Sequence, residues 1–297
     1  MLWIPAFAGM TKEKMTRTFQ RPIKRIVVKL GSSQIADSKM RPRTAQLSSL
    51  CKQISQLRKA GIEVVLVSSG AIALGMGELG ETRRSTELAQ LQARAAIGQA
   101  ALMRLYSELF RKVGLKSAQV LLTWDDFDNR ARFLNARHTL EAILKKRVVP
   151  IINENDTTST EEIKFGDNDK LSALVASLLH ADLLVILSDV EGLYDANKKV
   201  YEEIREITAE IEGIAGGTKN AHMARGGMRA KIGAIKIATH VRIPCVITAG
   251  DIKDVLVRLV AGARIGTYFI GKDQEKLLDG DSEHEFIRSH FKNSKGG

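Results

Sequence analysis

Short apolar segments alternate with amphipathic segments along most of this chain. The apolar segments are rich in Val, Ile and Leu, as buried strands are, and they cover residues 25–30, 63–67, 117–122, 148–152 and 183–187. The segments between them carry hydrophobic residues at helical spacing, and the predicted helices cover residues 42–60, 87–112, 131–146 and 169–179. This alternation predicts an α/β fold, in which a mainly parallel sheet has helices on both faces. Such sheets bind ligands at the carboxyl ends of their strands.

The composition is that of a globular protein. The 297 residues are enough for one large domain or two small ones. Hydrophobic residues make up 44% and charged residues 27%, which excludes collagen-like and wholly disordered chains. The most apolar stretch, residues 173–187, is interrupted by Ser177, His180 and Asp182, so we expect no membrane span. Cys51 and Cys245 lie far apart, which predicts neither a disulfide nor a zinc site and fits a reducing cytoplasm.

Charge is distributed unevenly along the chain. The sequence has 45 basic and 34 acidic residues, a formal net charge of +11. Residues 213–250 contain several basic residues and no acidic one, whereas residues 153–169 are rich in Asp and Glu. The first segment is suited to anions and the second to cations. A basic chain also permits nucleic-acid binding, but aromatic residues make up only 5%, so surfaces for base stacking are not indicated.

The first 24 residues are expected to form a leader without function. Residues 2–10 are apolar, but the segment is short and contains Pro5, and the basic residues follow it rather than precede it. A secretory signal has the opposite arrangement. Met15 offers an alternative start of the chain. We therefore expect chains that begin at Thr16 or Arg21 to match the full chain in melting temperature and activity.

Three common phosphate-binding signatures are absent from the sequence. It contains no Gly-x-x-x-x-Gly-Lys-Ser/Thr loop, no Gly-x-Gly-x-x-Gly after the first strand and no protein-kinase catalytic loop. Two other loops of small residues follow predicted strands: residues 29–33 (Lys-Leu-Gly-Ser-Ser) and residues 68–71 (Ser-Ser-Gly-Ala). Glycine lets a ligand approach the backbone N–H groups of such loops closely, although each loop taken alone is equally typical of an ordinary turn.

The remaining loops at predicted strand and helix ends are polar or charged. Residues 153–156 (Asn-Glu-Asn-Asp) follow the fourth predicted strand, and residues 166–170 (Gly-Asp-Asn-Asp-Lys) open a helix. One Asp or Asn suffices to cap a helix, so this concentration of carboxylates and amides indicates a site. Residues 188–189 (Ser-Asp) follow the fifth strand, and residues 225–231 (Arg-Gly-Gly-Met-Arg-Ala-Lys) open a basic helix. A helix N-terminus of this kind suits an anion.

In this order, and together with residues 133–137 (Phe-Leu-Asn-Ala-Arg), these motifs resemble the amino acid kinase family, specifically its glutamate-phosphorylating members. The resemblance extends over residues 25–271. It implies an open, mainly parallel sheet of about eight strands between helical layers. It also implies transfer of the γ-phosphoryl group of ATP to the side-chain carboxylate of L-glutamate, the first step of proline biosynthesis, with Mg²⁺ bound to the nucleotide.

The resemblance implies roles for individual residues. Lys29 and Lys231 are expected to flank the transferred phosphoryl group, and Asp169 to orient both lysines. The residues expected to bind glutamate are Ser69, Gly70, Asp156 and Asn168, with the carboxylate of Asp156 paired with the α-ammonium group. The residues expected to bind the nucleotide are Lys29, Gly31, Ser188, Asp189, Arg225, Gly226, Gly227, Met228 and Lys231. No protein side chain is expected to bind the metal.

The chain departs from the family pattern in two places. Arg225 and Ala230 stand where the family usually has threonine, so hydroxyl contacts to the nucleotide are lost there. Many members carry a C-terminal RNA-binding-like PUA domain, but residues 272–297 are expected to be only a short charged tail. The resemblance also implies a cytoplasmic homo-oligomer, a dimer or a tetramer, with feedback inhibition by proline and without a nucleic-acid or membrane partner.

Three other functions are compatible with parts of the sequence. A kinase of the same family can act on acetylglutamate, aspartate or a nucleoside monophosphate, but Asp156 in residues 153–156 favours an acceptor with a free α-amino group. A nucleic-acid-binding protein is a second alternative, on the net charge alone. A catalytically inactive homologue is a third, although Lys29, Lys231 and Asp169 are all present.

Overall fold

The computed structural model of this protein describes residues 17–158, 168–216 and 225–271, together with residue 285. The strands in these ranges are β1 (Arg25–Leu30), β2 (Glu63–Ser68), β3 (Ser117–Leu122), β4 (Val149–Glu154), β5 (Leu183–Ser188), β6 (Glu203–Ile204), β7 (Cys245–Ala249) and β8 (Thr267–Phe269). The helices are α1 (Ser32–Ile35), α2 (Thr44–Lys59), α3 (Ala71–Glu78), α4 (Leu88–Lys112), α5 (Asp125–Asp128), α6 (Arg130–Lys145), α7 (Asn168–Leu178), α8 (Ala209–Gly216), α9 (Arg225–His240) and α10 (Val255–Val260).

The strands form one sheet in the order β3-β4-β2-β1-β5-β7-β8-β6. Within the described ranges, β7 and β8 pair antiparallel, and the other paired strands are parallel. The predicted α/β class, with an open and mainly parallel sheet of about eight strands, is confirmed. The bounds of β3 are those predicted from the sequence.

β4 differs from its prediction in a way that matters for the site. The predicted strand ends at residue 152, but β4 continues to Glu154. Asn153 and Glu154 remain paired with Leu121 and Leu122 of β3, and both are buried. The first two residues of the predicted polar loop are therefore part of the sheet, which gives their side chains fixed positions.

Helices cover both faces of the sheet. Val27 and Val28 are consecutive residues of β1 but lie in two different hydrophobic clusters, because side chains of a strand alternate between its faces. The cluster around Val27 contains α6, α7 and α9, and the cluster around Val28 contains α2, α4 and α10. Strands buried on both faces in this way read as continuous apolar runs in the sequence, as β1 and β5 do.

The carboxyl ends of the central strands meet at one edge of the sheet. β1 lies between β2 and β5, and its last residue, Leu30, is in register with Ser68 on one side and Leu187 on the other. β2 in turn pairs with β4. The loops that follow these four parallel strands therefore lie side by side, and they contain the predicted residues Gly31, Ser69, Gly70, Asp156 and Asp189.

α3, which follows β2 at this edge, packs very close to α4. A Cβ atom on Gly98 would lie 1.8 Å from the carbonyl oxygen of Ala71, and a Cβ atom on Gly75 would lie 1.9 Å from the carbonyl oxygen of Arg94. Only a hydrogen atom fits at either point, so the two glycines set the distance between the helices. This contact fixes the start of α3, and with it the end of the loop after β2.

We expect Gly98→Ala to destabilise the fold by about 3 kcal/mol, because the added methyl group overlaps a backbone carbonyl. Urea unfolding followed by circular dichroism measures the change. Gly233→Ala in α9 is the matched control: nothing lies within 4 Å of a Cβ atom at Gly233. That replacement should be neutral or stabilise the fold by up to about 1 kcal/mol. Equal effects of the two variants would show that the helix contact does not require Gly98.

Residues 17–24, which belong to the predicted leader, lie on the domain. The backbone N–H of Arg17 donates to the carbonyl of Gly262 over 3.2 Å, and its guanidinium donates to the carbonyl of Ile265 over 3.3 Å. The guanidinium lies 4.8 Å from the ring centroid of Tyr268 in β8, and the ring of Phe19 meets the same tyrosine edge-on at 6.0 Å. The expectation that this whole segment can be removed is therefore revised; residues 1–16 lie outside the described ranges.

A chain that begins at Arg21 should melt about 3 °C or more below a chain that begins at Thr16. It loses the cation–π and edge-on contacts to Tyr268, which contribute roughly 1–2 kcal/mol together. Differential scanning calorimetry of the two chains makes the comparison. A full-length Arg17→Ala, Phe19→Ala double variant should reproduce the loss. Identical melting temperatures for the two shortened chains would show that the segment contributes no stability.

The helices and the two cysteines can be compared with the expectations from the sequence. No helix in the part of the chain that the structure describes is long and apolar enough to cross a membrane. Cys51 and Cys245 are buried free thiols. Burial raises the pKa of Cys51 to about 12, so its thiol is protonated and unreactive at neutral pH.

Candidate active site

The lysine near the end of β1 is buried. The side chain of Lys29 is only 6% exposed, although lysine is almost never buried without a partner. Its position on the central strand is fixed by pairing on both sides, with Val67 of β2 and Ile186 of β5. A buried ammonium group at the carboxyl end of a parallel strand is a fixed positive charge at the edge where such sheets bind ligands.

Asp169 is the counter-charge of Lys29, and it also binds a second lysine. The Nζ of Lys29 lies 2.5 Å from Oδ1 of Asp169, and the Nζ of Lys231 donates to Oδ2 over 3.3 Å. Burial alone raises the pKa of Asp169, but the two ammonium groups outweigh it and hold the pKa below its usual value. The carboxylate is therefore charged at neutral pH. We call these three side chains the ion group.

The three members of the ion group lie in three separate elements. Asp169 lies in the first turn of α7, where the helix dipole favours an acidic side chain. Lys231 lies in α9 and also donates to the carbonyl of Gly227 over 3.2 Å, one turn earlier. α7 and α9 pack in the same hydrophobic cluster, which holds their side chains on one face of the sheet. The ion group therefore depends on the packing of the whole domain.

Two glycines beside the lysines are not required by packing. A Cβ atom on Gly31 would lie 3.9 Å from Nζ of Lys29, and one on Gly227 would lie 3.8 Å from Nζ of Lys231. Both are ordinary contact distances, and neither glycine has a positive φ. Among the described residues, a Cβ atom at either glycine would make only an ordinary van der Waals contact with the ammonium group. An ammonium group is a strong hydrogen-bond donor to phosphate and carboxylate oxygens.

A cluster of amide groups and a serine surrounds Asn168, the residue before Asp169. The Nδ2 of Asn168 donates to Oγ of Ser69 over 2.9 Å and to Oδ1 of Asn153 over 2.8 Å. The Nδ2 of Asn153 in turn donates to Oε1 of Gln99 over 2.9 Å. Ser69, Asn153 and Asn168 are all buried. We call these four residues the amide cluster; it joins β4, α4, α7 and the loop after β2.

Gly70 is needed for the turn from this cluster into α3. Its φ is +100°, in the left-handed region that favours glycine, and a Cβ atom would lie 2.7 Å from the side chain of Ile35. The turn places the start of α3 next to Ser69. The first backbone N–H groups of a helix have no partner within the helix, so this end of α3 suits a carboxylate.

Asp156 lies just beyond β4, in a turn closed by a hydrogen bond of 3.1 Å from the N–H of Thr158 to the carbonyl of Asn155. Its side chain is partly buried, and burial raises its pKa to about 6, while the charge of Arg84 acts in the opposite direction. In the described ranges no hydrogen bond joins Asp156 to the amide cluster. A carboxylate whose ionised form is destabilised by burial gains from pairing with a cation.

Ser188 is the last residue of β5, one residue beyond the predicted end of this strand, and Asp189 follows it directly. The hydroxyl of Ser188 donates to Oδ1 of Asp189 over 3.0 Å. The carbonyl of Ser188 accepts a hydrogen bond of 2.8 Å from Nε2 of Gln34 and one of 3.0 Å from the N–H of Gly250. Asp189 itself is exposed. These bonds fix the backbone at the end of β5 and leave the carboxylate of Asp189 facing solvent.

The start of α9 carries the remaining predicted residues. Arg225, Gly226 and Gly227 are the first three residues of this helix, as the sequence analysis expected. Met228 is partly buried and packs against the hydrophobic cluster of α6, α7 and α9. Residues 217–224, directly before the helix, lie outside the described ranges.

The structure brings five of the predicted site residues into direct contact with one another and adds others. Lys29, Asp169 and Lys231 form the ion group, and Ser69 and Asn168 belong to the amide cluster. The predicted site residues did not include Asn153, Gln99 or Gln34. Asn153 belongs to the polar motif of residues 153–156, so the sequence carried a signal for it. Gln99 and Gln34 had no sequence signal, since glutamine is an ordinary residue in exposed helices.

This architecture is that of a known class of phosphate-transferring proteins. The fold is similar to that of a carbamate kinase from Giardia lamblia bound to AMP-PNP, with a TM-score of 0.60 over 83% of this chain and 98% of that chain. The two sequences are 19% identical, so the likeness concerns the fold alone. Residues 24–249 match the model of the amino acid kinase family. The chain belongs to the amino acid kinase family.

Several relatives within the family are much more similar in sequence. The glutamate 5-kinase of Burkholderia cenocepacia is 48% identical over 275 residues, which cover 90% of this chain and 74% of the relative. The glutamate 5-kinase of Pelobacter propionicus is 46% identical over 265 residues, which cover 87% of this chain and 71% of the relative. The family resemblance inferred from the motifs is thereby confirmed.

Proposed function

We propose that this protein transfers the γ-phosphoryl group of ATP to the side-chain carboxylate of L-glutamate, which yields L-glutamyl 5-phosphate and ADP in the first step of proline biosynthesis. The observation that carries the proposal is the ion group, two lysines bound by one buried carboxylate, next to the amide cluster. The relatives named glutamate 5-kinase, at 46% and 48% identity, support the same acceptor.

The chemistry requires positive charge and positioning. The acceptor carboxylate has a pKa of about 4.3 in solution, so it is ionised at neutral pH and needs no general base. One of its oxygens forms a bond to the γ-phosphorus while the bond from that phosphorus to the bridging oxygen breaks, and ADP leaves with the electron pair. Both reactants are anions, so the site must hold them in line and balance their charge.

Lys29 and Lys231 are proposed to balance that charge. Because both bind Asp169, their ammonium groups have fixed positions before the substrates arrive. Charge that is fixed in advance stabilises a transition state without reorganisation. Gly31 and Gly227 lie beside these two ammonium groups, and the lack of a side chain at each lets phosphate oxygens approach the backbone closely.

The amide cluster and Asp156 are proposed to bind the amino acid. The start of α3 after Gly70 and the hydroxyl of Ser69 suit a carboxylate, and the carboxylate of Asp156 suits the α-ammonium group. An acceptor with a free amino group gains this pairing, whereas acetylglutamate has no charged nitrogen to offer. This argument favours glutamate over acetylglutamate.

Mg²⁺ is proposed to enter with ATP, as part of the substrate. It would bridge the phosphate oxygens, since it prefers such ligands and retains several waters. Among the described residues, no three Asp, Glu, His or Cys side chains form a metal-binding cluster. The proposed nucleotide side consists of the lysines, the loops of Gly31 and Ser188–Asp189, and the start of α9.

Assembly into a dimer or tetramer, inhibition by proline and a cytoplasmic location stay predictions.

The experiment that tests the proposal is an assay of ADP release from MgATP with different acceptors. We expect release with L-glutamate and little with acetylglutamate, L-aspartate or a nucleoside monophosphate. Trapping of the acyl phosphate with hydroxylamine, as glutamyl hydroxamate, identifies the product. Release with one of the other acceptors and not with glutamate would replace the proposed substrate, and no release with any acceptor would refute the kinase activity.

Lys231→Ala should lower kcat by about a hundredfold or more and leave the KM for glutamate nearly unchanged, because it removes one charge that stabilises the transition state. Lys29 still pairs with Asp169 in this variant, so the fold is retained. Steady-state kinetics measure both constants. Lys236→Ala on the exposed side of α9 is the control and should keep full kcat. An unchanged kcat for Lys231→Ala would exclude the role of this lysine.

Asp156→Asn should raise the KM for glutamate about ten- to a hundredfold, because it removes the ionic partner of the α-ammonium group. The pKa of Asp156 near 6 adds a pH dependence. In the unaltered protein, protonation of this carboxyl below pH 6 should raise the KM for glutamate; in the variant, that rise should be absent. Kinetics from pH 5 to 8 measure this.

Asp189→Asn, which alters an exposed carboxylate at the proposed nucleotide side, is the control for the effect of Asp156. It should leave the KM for glutamate unchanged. If Asp156→Asn raised the KM for ATP and not that for glutamate, the two sides of the site would be assigned in reverse.

A further inference from the structure

We propose that Gln99 of α4 is a positioning residue for the amino-acid substrate: through Asn153, it fixes which atom of Asn168 faces that substrate. The proposal rests on the glutamate kinase activity proposed above. It is carried by the direction of each hydrogen bond in the amide cluster, because amide groups contain both a donor and an acceptor and can bind in two orientations.

A backbone contact identifies which end of the Asn153 amide is the oxygen. The N–H of Glu154 points at the side chain of Asn153 over 2.9 Å. A backbone N–H can only donate, so the atom that it meets must be the carbonyl oxygen Oδ1 of Asn153. The other end of the same amide, Nδ2, must therefore be a donor.

The partner of that donor is Gln99. The Nδ2 of Asn153 lies 2.9 Å from the side-chain amide of Gln99, which must accept and therefore presents Oε1. The Nε2 of Gln99 is then buried and has no hydrogen-bond partner among the described residues. A buried amide with an unused donor is unfavourable and calls for an explanation. Fixing the orientation of Asn153 is the explanation that we infer.

The packing of α4 against α3 fixes the backbone position of Gln99. The preceding residue, Gly98, is the point at which α4 touches the backbone of α3 at Ala71. The backbone of Gln99 is therefore fixed relative to the start of α3, which borders the same site. A glutamine on a loosely packed helix would not constrain the amide of Asn153 to the same degree.

The last bonds of the cluster set the orientation of Asn168. Oδ1 of Asn153 and the backbone carbonyl of Ser68 are both acceptors, at 2.8 Å and 3.3 Å from the same atom of Asn168. That atom must be Nδ2. In the part of the chain that the structure describes, Oδ1 of Asn168 accepts no hydrogen bond, so it is the end of the amide that remains for a ligand.

Ser69 presents a hydrogen-bond donor, whereas Asn168 presents an acceptor. Its Oγ accepts the hydrogen bond of 2.9 Å from Asn168, so its own hydrogen remains available to donate. The substrate thus meets an acceptor at Asn168 and a donor at Ser69. An α-ammonium group matches the first and a carboxylate matches the second. This fixed polarity distinguishes an amino acid from a dicarboxylic acid of the same length without an amino group.

The test replaces Gln99 by methionine, which has a similar length and no amide oxygen. In Gln99→Met, the amide of Asn153 loses the partner of its Nδ2, and the orientation of Asn168 is less constrained. We expect the KM for L-glutamate to rise about five- to tenfold, the effect of losing roughly one net hydrogen bond. The KM for ATP and the inhibition constant of glutarate, which lacks the amino group, should stay within about twofold.

Two further variants separate positioning from a structural effect. Gln99→Glu keeps an oxygen acceptor for Nδ2 of Asn153 and should retain a KM for glutamate within about threefold of the unaltered value. It also serves as the test if Gln99→Met does not fold. Gln90→Met, the same replacement at an exposed position of α4, should change nothing. Melting temperatures of all variants show whether the fold is intact.

Three results would overturn the inference. The first is an unchanged KM for glutamate in Gln99→Met, and the second is a parallel rise of the KM for glutamate, the KM for ATP and the inhibition constant of glutarate. The third is a Gln99→Glu variant that loses as much affinity for glutamate as Gln99→Met. If the unaltered protein does not phosphorylate glutamate at all, the proposed function fails instead, and the failure is visible before any variant is made.

Discussion

The ion group of Lys29, Asp169 and Lys231 is the interaction on which the rest of the site depends. A buried carboxylate is unfavourable by itself, and here two ammonium groups offset the loss of hydration. The three side chains come from β1, α7 and α9, so they meet only when the sheet and one helical layer are complete. The charge arrangement needed for phosphoryl transfer is therefore a product of the folded domain and exists before any substrate binds.

The amide cluster places hydrogen-bond donors and acceptors in fixed orientations beside the ion group. The hydrogen bonds that join the backbone N–H of Glu154, Asn153, Gln99 and Asn168 determine the orientation of each side-chain amide. The close contact of α3 and α4 at Gly98 holds the participating helices at a fixed distance. Rigid elements thus supply both parts of the site. The two proposed halves of the site, for phosphate and for amino acid, meet at the neighbouring residues Asp169 and Asn168 at the start of α7.

Much of the fold was predictable because its elements are long and periodic. α4 extends over Leu88–Lys112 against a prediction of 87–112, and β3 has the predicted bounds. The end of β4 was predicted too early, because polar Asn153 and Glu154 resemble a loop until their pairing with β3 is known. β6, β7 and β8 were not among the predicted strands. β6 and β8 have two and three residues, and pairing with neighbouring strands, rather than local preference, makes them strands.

By itself, the sequence determined the α/β class, the order of the elements and the loops in which the chemistry lies. Those properties follow from local periodicity and from glycine, charged and amide residues at strand ends, which a single chain displays directly. The expectation that Asp169 orients both lysines came from the family resemblance, and the tertiary structure supplied its distances. Only the tertiary structure decided that Gln99 contacts Asn153 and that Arg17 and Phe19 pack on Tyr268. The physical reason is that each of these contacts joins residues distant in sequence. Their distances and hydrogen-bond directions are set by how the helices pack on the sheet.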